Sequence, residues 1–318
     1  MLPVWHDRCG CVALVAKMLD AIPELKSKGG DLPNFEDNAM SPKPSDVNPA
    51  TATPNRAVSD PVFYPLGRLV IGWINHLGAA AIFLVRAMRA VFGRRQLHAV
   101  WLQTYFIGAS TTGIVALVAL FTGMVLGLQL YYTLVKFDSV GVLGSAVSLT
   151  LVRELGPVLT AIMITARAGS AMAAEIGIQR ISEQIDALVT MRIDPLAYLV
   201  APRLAAALLS FPLLTAMFDL IGIAGGYLTG VVLMGGDPGA YVYRVQSSVE
   251  LGDITGGFVK ALVFAVIVAT ICCYQGFHTH LRRDARGSKG VSLSTTSAVV
   301  QSCVAILVAD YLVTSFLL

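Results

Sequence analysis

Five long apolar runs constrain the fold of this chain more than any other feature. They are Trp101–Val135, Val140–Met172, Leu204–Gly236, Phe258–Phe277 and Thr296–Leu318. Each has the roughly 20 residues that a helix needs to cross the hydrocarbon core of a bilayer. Only 14% of the chain is charged, against about 25% in soluble domains. The sequence therefore predicts an all-α membrane protein with five transmembrane helices.

The region before the first run is predicted to be a disordered tail followed by a short helix. Residues 31–65 contain seven prolines among Ser, Thr, Asn and Asp, and such a composition cannot bury enough apolar surface to fold. We predict a disordered tail over 1–65 and one membrane domain over 66–318. Charged residues interrupt any signal-peptide core in the first 30 positions. A start codon at Met40 is an alternative that would remove residues 1–39.

Residues 66–92 combine a stripe of basic, polar or small residues with a face of large apolar ones. The stripe recurs at helical spacing through Arg68, Gly72, Asn75, Ala79 and Arg86. Helices of this kind usually lie in the membrane interface, so we predict an N-terminal interfacial helix. An ordinary amphipathic helix packed on a neighbour is the alternative.

Basic residues in the connections predict the orientation. With the N-terminus inside, the inner segments carry eleven Arg and Lys and the outer segments three. Basic residues concentrate on the cytoplasmic side of membrane proteins. The N-terminus is therefore predicted to be cytoplasmic and the C-terminus periplasmic.

Between the second and third runs, the segment EIGIQRISEQIDALVTMRIDP predicts an amphipathic helix of about four turns over Glu175–Met191. Its apolar positions are Ile178, Ile181, Ile185 and Leu188. It is too short and too charged to cross a membrane, and it lies on the predicted cytoplasmic side. It is either a membrane-surface connector or a lever that docks into a cytoplasmic partner.

The second run contains Arg153 and Glu154, followed by Gly156 and Pro157. Adjacent residues on a helix point in different directions and pair poorly with each other. Pro157 has no N–H, so the carbonyl of Arg153 loses its helical partner. Such a defect persists at membrane depth only where it is buried in protein or faces water. We predict a cavity wall with a charged edge; the alternative is a pair of structural ion pairs to other helices.

Other polar and small residues mark helix contacts. Asp219 and Asp310 are predicted to be protonated or paired with another helix, while Lys260 and Arg167 can extend towards opposite membrane surfaces. Small residues repeat at spacings of four in three sets: Gly123 and Gly127; Gly222, Gly226 and Gly230; and Ala166, Ser170 and Ala174. They predict close helix packing, within the chain or across a dimer.

Two observations bear on enzymatic activity. The five cysteines lack the spacing of a metal site, so neither a metal nor a cofactor is expected. No GxxxxGK[ST] phosphate-binding loop occurs. Any ATP hydrolysis is therefore expected from a separate subunit, and the chain is not predicted to be an enzyme.

Residues 153–215, which begin RELGPVL and end SFPLLT, closely resemble the MlaE permease family. The shorter motifs GMVLGLQ, GIAGG, VKALVFA and TTSAVVQS also match, and the resemblance covers about Leu66 to the C-terminus. It implies a homodimeric permease of a phospholipid ABC transporter in the bacterial inner membrane, within the Mla pathway that maintains outer-membrane lipid asymmetry. Expected partners are a cytoplasmic ATPase that binds ATP, a periplasmic Mce-domain protein and, in addition, a small STAS-type cytoplasmic subunit; no nucleic acid is expected.

The resemblance also implies two sets of functional residues. Arg153 would bind a lipid phosphate, and Glu154 would contact the headgroup or pair across the dimer. Acyl chains would contact Leu126, Leu134, Phe137 and Leu155. The helix Glu175–Met191 would couple to the ATPase through Glu175, Gln179, Arg180, Glu183, Gln184, Asp186 and Met191.

Two other functions remain alternatives at this stage. An ion-coupled secondary carrier would use Glu154, Asp219 and Asp310 as proton sites, although such carriers usually show internal repeats and none is found here. A scaffold that anchors peripheral partners would hold no lipid.

Overall fold

The computed structural model describes residues 78–91, 97–281 and 287–317, which all lie in one compact unit. These residues form helices and no strand. Five helices are long and apolar enough to cross a membrane: His98–Val135, Val140–Ile181, Leu196–Leu233, Leu251–Phe277 and Ser288–Phe316. The five predicted spans are confirmed. The second span extends further than expected at its end, and the third, fourth and fifth begin seven or eight residues earlier.

Three of the spans are interrupted by π turns. The first consists of Leu97–Thr104, the π turn Tyr105–Ala109 and Ser110–Val135. The second consists of Val140–Val142, Leu143–Thr150, the π turn Leu151–Leu155, Gly156–Ile164, the π turn Thr165–Gly169 and Ser170–Ile181. The third consists of the π turn Leu196–Val200, Ala201–Tyr227 and the π turn Leu228–Leu233. The fourth and fifth are the continuous helices Leu251–Phe277 and Ser288–Leu317. Because a π turn inserts a residue into the helical ladder and is frequent at functional sites, the turn at Leu151–Leu155 is notable: it contains Arg153 and Glu154.

Consecutive spans are joined at alternate ends of the bundle. We call the end with residues 136–139 and the helix Pro238–Ser248 the outer end, after the predicted orientation. The opposite, inner end carries the short helix Gln184–Thr190 and the turn Thr279–Leu281. Parts of the chain that bear on earlier predictions lie outside the described residues, namely the tail 1–65, residues 66–77 of the interfacial helix, and the basic residues at 94, 95, 282, 283 and 286.

Glycines bring the first and third spans into backbone contact. A methyl group on Gly123 would overlap the carbonyl of Gly222, and a Cβ on Gly127 would lie 3.1 Å from the Cα of Gly226. Close backbone approach is the main source of packing energy between helices in lipid. Two of the three predicted small-residue sets are therefore used within the chain. Of the third set, Ala166 remains exposed.

The helix over 78–91 packs against the inner end of the fourth span. Phe83 is 6% exposed, and its ring lies 5.7 Å from that of Tyr274 and 6.1 Å from that of Phe277. Ile82 and Val85 on the same helix are exposed. One side of this helix thus packs on a neighbour, as the alternative prediction had it, while another side presents apolar surface.

The prediction of one continuous helix over Glu175–Met191 is wrong. The helix of the second span runs on to Ile181, and the chain then breaks at Ser182 and Glu183 before Gln184–Thr190 begins. Glu183 has φ +60°, in the left-handed region. Of the four predicted apolar positions, Ile185 is buried and Leu188 packs partly buried against the core, whereas Ile178 and Ile181 are 56% and 38% exposed. Before the break the buried residues are Met172, Ala173, Ile176 and Gly177. Periodicity therefore identified neither the buried face of this segment nor the change of direction.

Candidate functional site: a charged cluster and a jointed inner end

Lys260 is the centre of a buried charged cluster at the outer half of the bundle. Its side chain is only 3% exposed. The ammonium Nζ donates to Glu154 Oε2 at 2.8 Å and lies 3.1 Å from Asp310 Oδ1. The cluster thereby joins the second, fourth and fifth spans. The prediction that Lys260 extends to a membrane surface is wrong, because three acceptors inside the protein hold its ammonium group.

The third acceptor explains the proline. Lys260 Nζ donates to the carbonyl of Arg153 at 2.9 Å, and this is the carbonyl that Pro157 deprives of its helical donor. A Cβ on Gly257, one turn before Lys260, would lie 2.8 Å from the carbonyl of Val152. The fourth span thus lies directly against the opened turn of the second, and its lysine replaces the missing N–H.

Arg153 pairs with the first turn of the fourth span. Its Nε lies 2.7 Å from Asp253 Oδ1, while Asp253 Oδ2 accepts from the N–H of Glu250 in a capping box. The cluster therefore lies within the first three turns of the fourth span, near the outer end. The charged pair is closer to a surface than its place in the middle of an apolar run indicated.

Ion pairs to other helices, the structural alternative for Arg153 and Glu154, are present in the structure. Thr314 in the fifth span also donates to Glu154, at 3.3 Å. Both side chains nevertheless keep a large accessible surface, 49% for Arg153 and 43% for Glu154. The ion pairs consequently leave part of each charged group open to a further ligand.

Arg167 and Asp219 behave differently from the clustered charges. Arg167 donates to the hydroxyls of Ser110 and Thr111, so it crosslinks the first and second spans instead of extending towards a surface as predicted. Asp219 lies against Gly156, where a methyl group would overlap its Oδ1. That oxygen is buried and has no hydrogen-bond partner among the described residues. The predicted pairing of Asp310 is confirmed by its ion pair with Lys260, whereas Oδ1 of Asp219 receives no donor from any helix that the structure describes.

The predicted acyl-chain residues are spread along two spans. Leu126 and Leu134 of the first span pack partly buried against the core, as does Leu155 beside the charged pair. Phe137 lies in the turn after the first span and is 73% exposed. The structure thus places Leu155 next to Arg153 and Glu154, and places Phe137 at the outer end.

At the inner end, Arg203 fixes the third span to the second. Its side chain is 4% exposed and donates to Glu175 Oε2 at 2.9 Å and to the carbonyl of Leu199 at 3.3 Å. Glu175, which was predicted to contact a partner, forms this ion pair while its side chain stays 42% exposed, so the predicted contact stays a prediction. A buried guanidinium with an ion-pair partner makes this contact a structural one.

Arg180 connects three elements at the break in the predicted coupling helix. Its Nη1 donates to Asp186 Oδ1 at 2.6 Å and its Nε to His280 Nδ1 at 3.0 Å. Its guanidinium carbon lies 5.5 Å from the centre of the Phe277 ring. Burial lowers the pKa of His280 below its ordinary value of 6.5, and the positive charge of Arg180 lowers it further. His280 therefore accepts from Arg180 in its neutral form.

The remaining predicted coupling residues divide by exposure. Glu183, Gln184, Asp186 and Met191 are exposed, the last at 67%. Gln179 is half-buried, and Val189, which was not predicted, is 56% exposed. The most exposed of the predicted coupling residues therefore lie at the break, in the short helix Gln184–Thr190 and directly after it, while Glu175 and Gln179 are partly exposed.

Three contributing residues were missed from the sequence. Asp253 and Thr314 join the charged cluster, and His280 joins Arg180. The sequence carried one usable signal, the acid at the third helical position after Glu250 in ELGD, which is the pattern of a capping box. It would have placed the start of the fourth span at Leu251 and Asp253 inside it.

Residues 100–316 match the protein family described as Permease MlaE. A permease of Haemophilus influenzae, named intermembrane phospholipid transport system permease protein MlaE, is 40% identical over 257 residues, which cover 79% of this chain and 95% of the relative. A probable ABC transporter permease protein of Rickettsia typhi is 38% identical over 253 residues, covering 79% and 96%. The chloroplastic protein TRIGALACTOSYLDIACYLGLYCEROL 1 of Arabidopsis thaliana is 30% identical over 285 residues, covering 89% and 80%.

Proposed function

Because this multi-pass membrane protein belongs to the MlaE permease family, we propose that it is the membrane subunit of an ABC transporter for phospholipids. It would move them between the bacterial inner membrane and a periplasmic Mce-domain protein. ATP would be bound and hydrolysed by a separate cytoplasmic subunit, and a STAS-type subunit could complete the assembly. The observation that carries this proposal is the half-exposed Arg153 and Glu154 in an otherwise apolar span.

Arg153 is suited to hold a lipid phosphate. Its Nε is occupied by Asp253, but in the described part of the chain its two terminal nitrogens have no partner. A guanidinium presents these nitrogens in a planar fork that matches phosphate oxygens. Glu154 would face the headgroup or the partner subunit. Leu155 and Leu126, with Leu134 and Phe137 nearer the outer end, would line the path of the acyl chains.

A second copy of the chain would cover the open surfaces of Arg153 and Glu154. Charged side chains at membrane depth face protein or water and not hydrocarbon, so the open surfaces of Arg153 and Glu154 need cover. The first and fifth spans are only 22% and 11% buried in their most apolar windows. Since the glycine-rich faces of the first and third spans already pack together, we propose a homodimer through another face.

The proposed coupling surface is the short inner helix with the break before it. Glu183, Gln184 and Asp186 provide polar contacts, and Val189 and Met191 provide exposed apolar ones. The basic residues of the inner connections favour a cytoplasmic location for this surface, with the C-terminus in the periplasm. ATP-driven motion of a bound ATPase would then reach the bundle through Arg180.

The test is purification of the tagged full-length protein from its native membranes, followed by mass spectrometry of the copurified proteins and lipids. We expect an ATPase, an Mce-domain protein and bound phospholipid. Arg153→Ala should lower the bound phospholipid, whereas Asp253→Asn, which breaks the same ion pair but keeps the guanidinium, should retain it. Equal loss in both variants would leave Arg153 a structural role only. Transport by the purified chain alone would indicate a carrier, and absence of lipid would indicate a scaffold.

A further inference from the structure

A cavity of about 420 Å³ lies between the third span, the outer helix Pro238–Ser248 and the start of the fourth span. Its lining is almost entirely apolar and includes Ala216, Ile223, Val245 and Phe258. Pockets of 300–1,000 Å³ are the usual size for small-molecule ligands, and a few polar groups normally fix the ligand's orientation. The cavity is therefore large enough for a chain-like ligand.

Asp219 is the charged residue in the lining of this cavity. Its Oδ1 is buried and unpartnered among the described residues. Gly156 allows the carboxylate to approach the second span, because any larger residue there would overlap Oδ1. An ionised carboxylate without a donor in an apolar site is costly, so Asp219 is either protonated or paired with a cation. A positively charged ligand would stabilise its ionised form.

The neighbouring charged cluster cannot supply the missing cation. Val152 and Gly257, whose backbones touch, line the cavity on the side of the cluster. In the cluster, Arg153 and Lys260 are already paired with three carboxylates, those of Asp253, Glu154 and Asp310. The cluster thus holds two positive and three negative side chains, so its net charge is negative even without Asp219. The local field consequently favours a cation in the cavity.

The chemistry of the lining decides which kind of cation fits. Ca²⁺ needs six to eight oxygen ligands, whereas the side chains of the lining offer only the oxygens of Asp219, Thr215 and Gln246. An organic ammonium group needs fewer partners, and a hydrocarbon chain attached to it would fill the apolar remainder. We propose that this cavity binds an amphiphilic amine, with Asp219 as the counter-charge of its ammonium group and the apolar lining around its chain.

The test uses a photoreactive long-chain alkylamine and the alcohol with the same chain, on full-length protein in nanodiscs of uncharged lipid. A contact between an ammonium and a carboxylate should favour the amine by about tenfold in half-labelling concentration. Labelled peptides should fall within 215–223 and 245–258. Asp219→Asn should reduce the preference to about one while alcohol labelling persists, which also shows that the variant is folded. Ala216→Phe should reduce labelling by both probes, and Asp138→Asn, at an exposed turn, should change neither.

Competitors identify the source of the amine. Competition by phosphatidylethanolamine but not by phosphatidylglycerol of the same chains would assign the site to a lipid headgroup. Competition only by single-chain amines would assign it to a free amine. Equal labelling by amine and alcohol in the wild type, or an unchanged preference in Asp219→Asn, would overturn the proposal. Because labelling needs neither ATP nor partner proteins, its failure is distinguishable from a failure of the proposed transport.

Discussion

Both ends of the bundle tie the second span to the fourth with a cation, but they do so differently. At the outer end, Lys260 is buried, donates to Glu154 and to a backbone carbonyl, and forms an ion pair with Asp310. At the inner end, Arg180 holds Asp186 and His280 beside a break in the chain at Glu183. The first contact joins three membrane-spanning segments, at a π turn of the second span, whereas the second bridges a connection.

The difference indicates which end can move. Removing one partner from a buried ion network is strongly destabilising because the remaining charges are left without compensation. Exposed ion pairs contribute little to stability, and changes of direction between packed elements are common hinge positions. We therefore interpret the outer cluster as a fixed point and Arg180 as the joint through which the short helix moves the bundle.

The largest loss of stability is expected from replacing Lys260, the centre of the outer cluster. Lys260→Met removes the counter-charge of Glu154 and Asp310 and the donor to the Arg153 carbonyl. It should lower the free energy of unfolding by about 3 kcal/mol, the low end for a buried pair because Glu154 is partly exposed. Chemical unfolding in detergent measures this loss. Lys289→Met, at an exposed position of the fifth span, serves as the control. A change below about 0.5 kcal/mol, typical of surface substitutions, would contradict the assignment of a fixed point.

Substitution of Arg180 should affect lipid transport more than the free energy of unfolding. Arg180→Lys keeps the positive charge but cannot bridge Asp186 and His280 with a planar fork. In the reconstituted transporter, lipid transport per ATP hydrolysed should fall by about tenfold, equivalent to about 1.4 kcal/mol of lost coupling, with little change in unfolding. Arg89→Ala, an exposed arginine of the 78–91 helix, is the matched control. Parallel losses of transport and stability would make Arg180 another fixed point.

Replacing Pro157 measures how much stability the outer cluster gains from the hydrogen bond between Lys260 and the Arg153 carbonyl. Pro157→Ala returns a helical donor to the Arg153 carbonyl, which should weaken the dependence on Lys260. In that background Lys260→Met should cost about 1 kcal/mol less than in the wild type, the value of one hydrogen bond. A double-mutant cycle by unfolding measures this coupling. Strict additivity would show that the lysine acts only through its carboxylate partners.

The smallest expected effect is the pH dependence of transport coupling through His280, which contacts Arg180. The pKa of His280 is lowered in the folded protein, so the folded state binds fewer protons than the unfolded state near pH 6.5. The contact with Arg180 is thus fully present above that value and weakens as pH falls below it. Transport coupling should decline on acidification, and His280→Asn should flatten the profile. An identical pH profile in His280→Asn would remove His280 from the joint.

The spans and the presence of a charged site were predictable, and the partners of the charges were not. Composition and run length located all five helices because a bilayer demands long apolar segments. The loss of an N–H at Pro157 predicted a vacant carbonyl on Arg153. It could not predict that Lys260, 107 residues away, would fill that vacancy, and general rules for membrane lysines favoured extension to a surface.

The coupling region shows the same division. The spacing of Ile178, Ile181 and Ile185 predicted one apolar face, but only Ile185 of these three is buried. A period of 3.6 residues also carries no sign of the left-handed residue at Glu183. The sequence pattern also does not distinguish the exposed members of the predicted coupling set from those that contact their own chain. Only the packing of the third and fourth spans shows that Glu175 and Arg180 contact their own chain.

By itself the sequence determined that the chain is helical, crosses a membrane five times and carries uncompensated charge in its second span. These properties follow from local composition and from the cost of polar groups in hydrocarbon. The tertiary structure alone decided which charges meet, which glycines touch and which carboxylate oxygen, Oδ1 of Asp219, has no hydrogen-bond partner in the described part of the chain. Such contacts join residues far apart along the chain, and helical periodicity specifies the face that a residue occupies without specifying the helix that lies opposite.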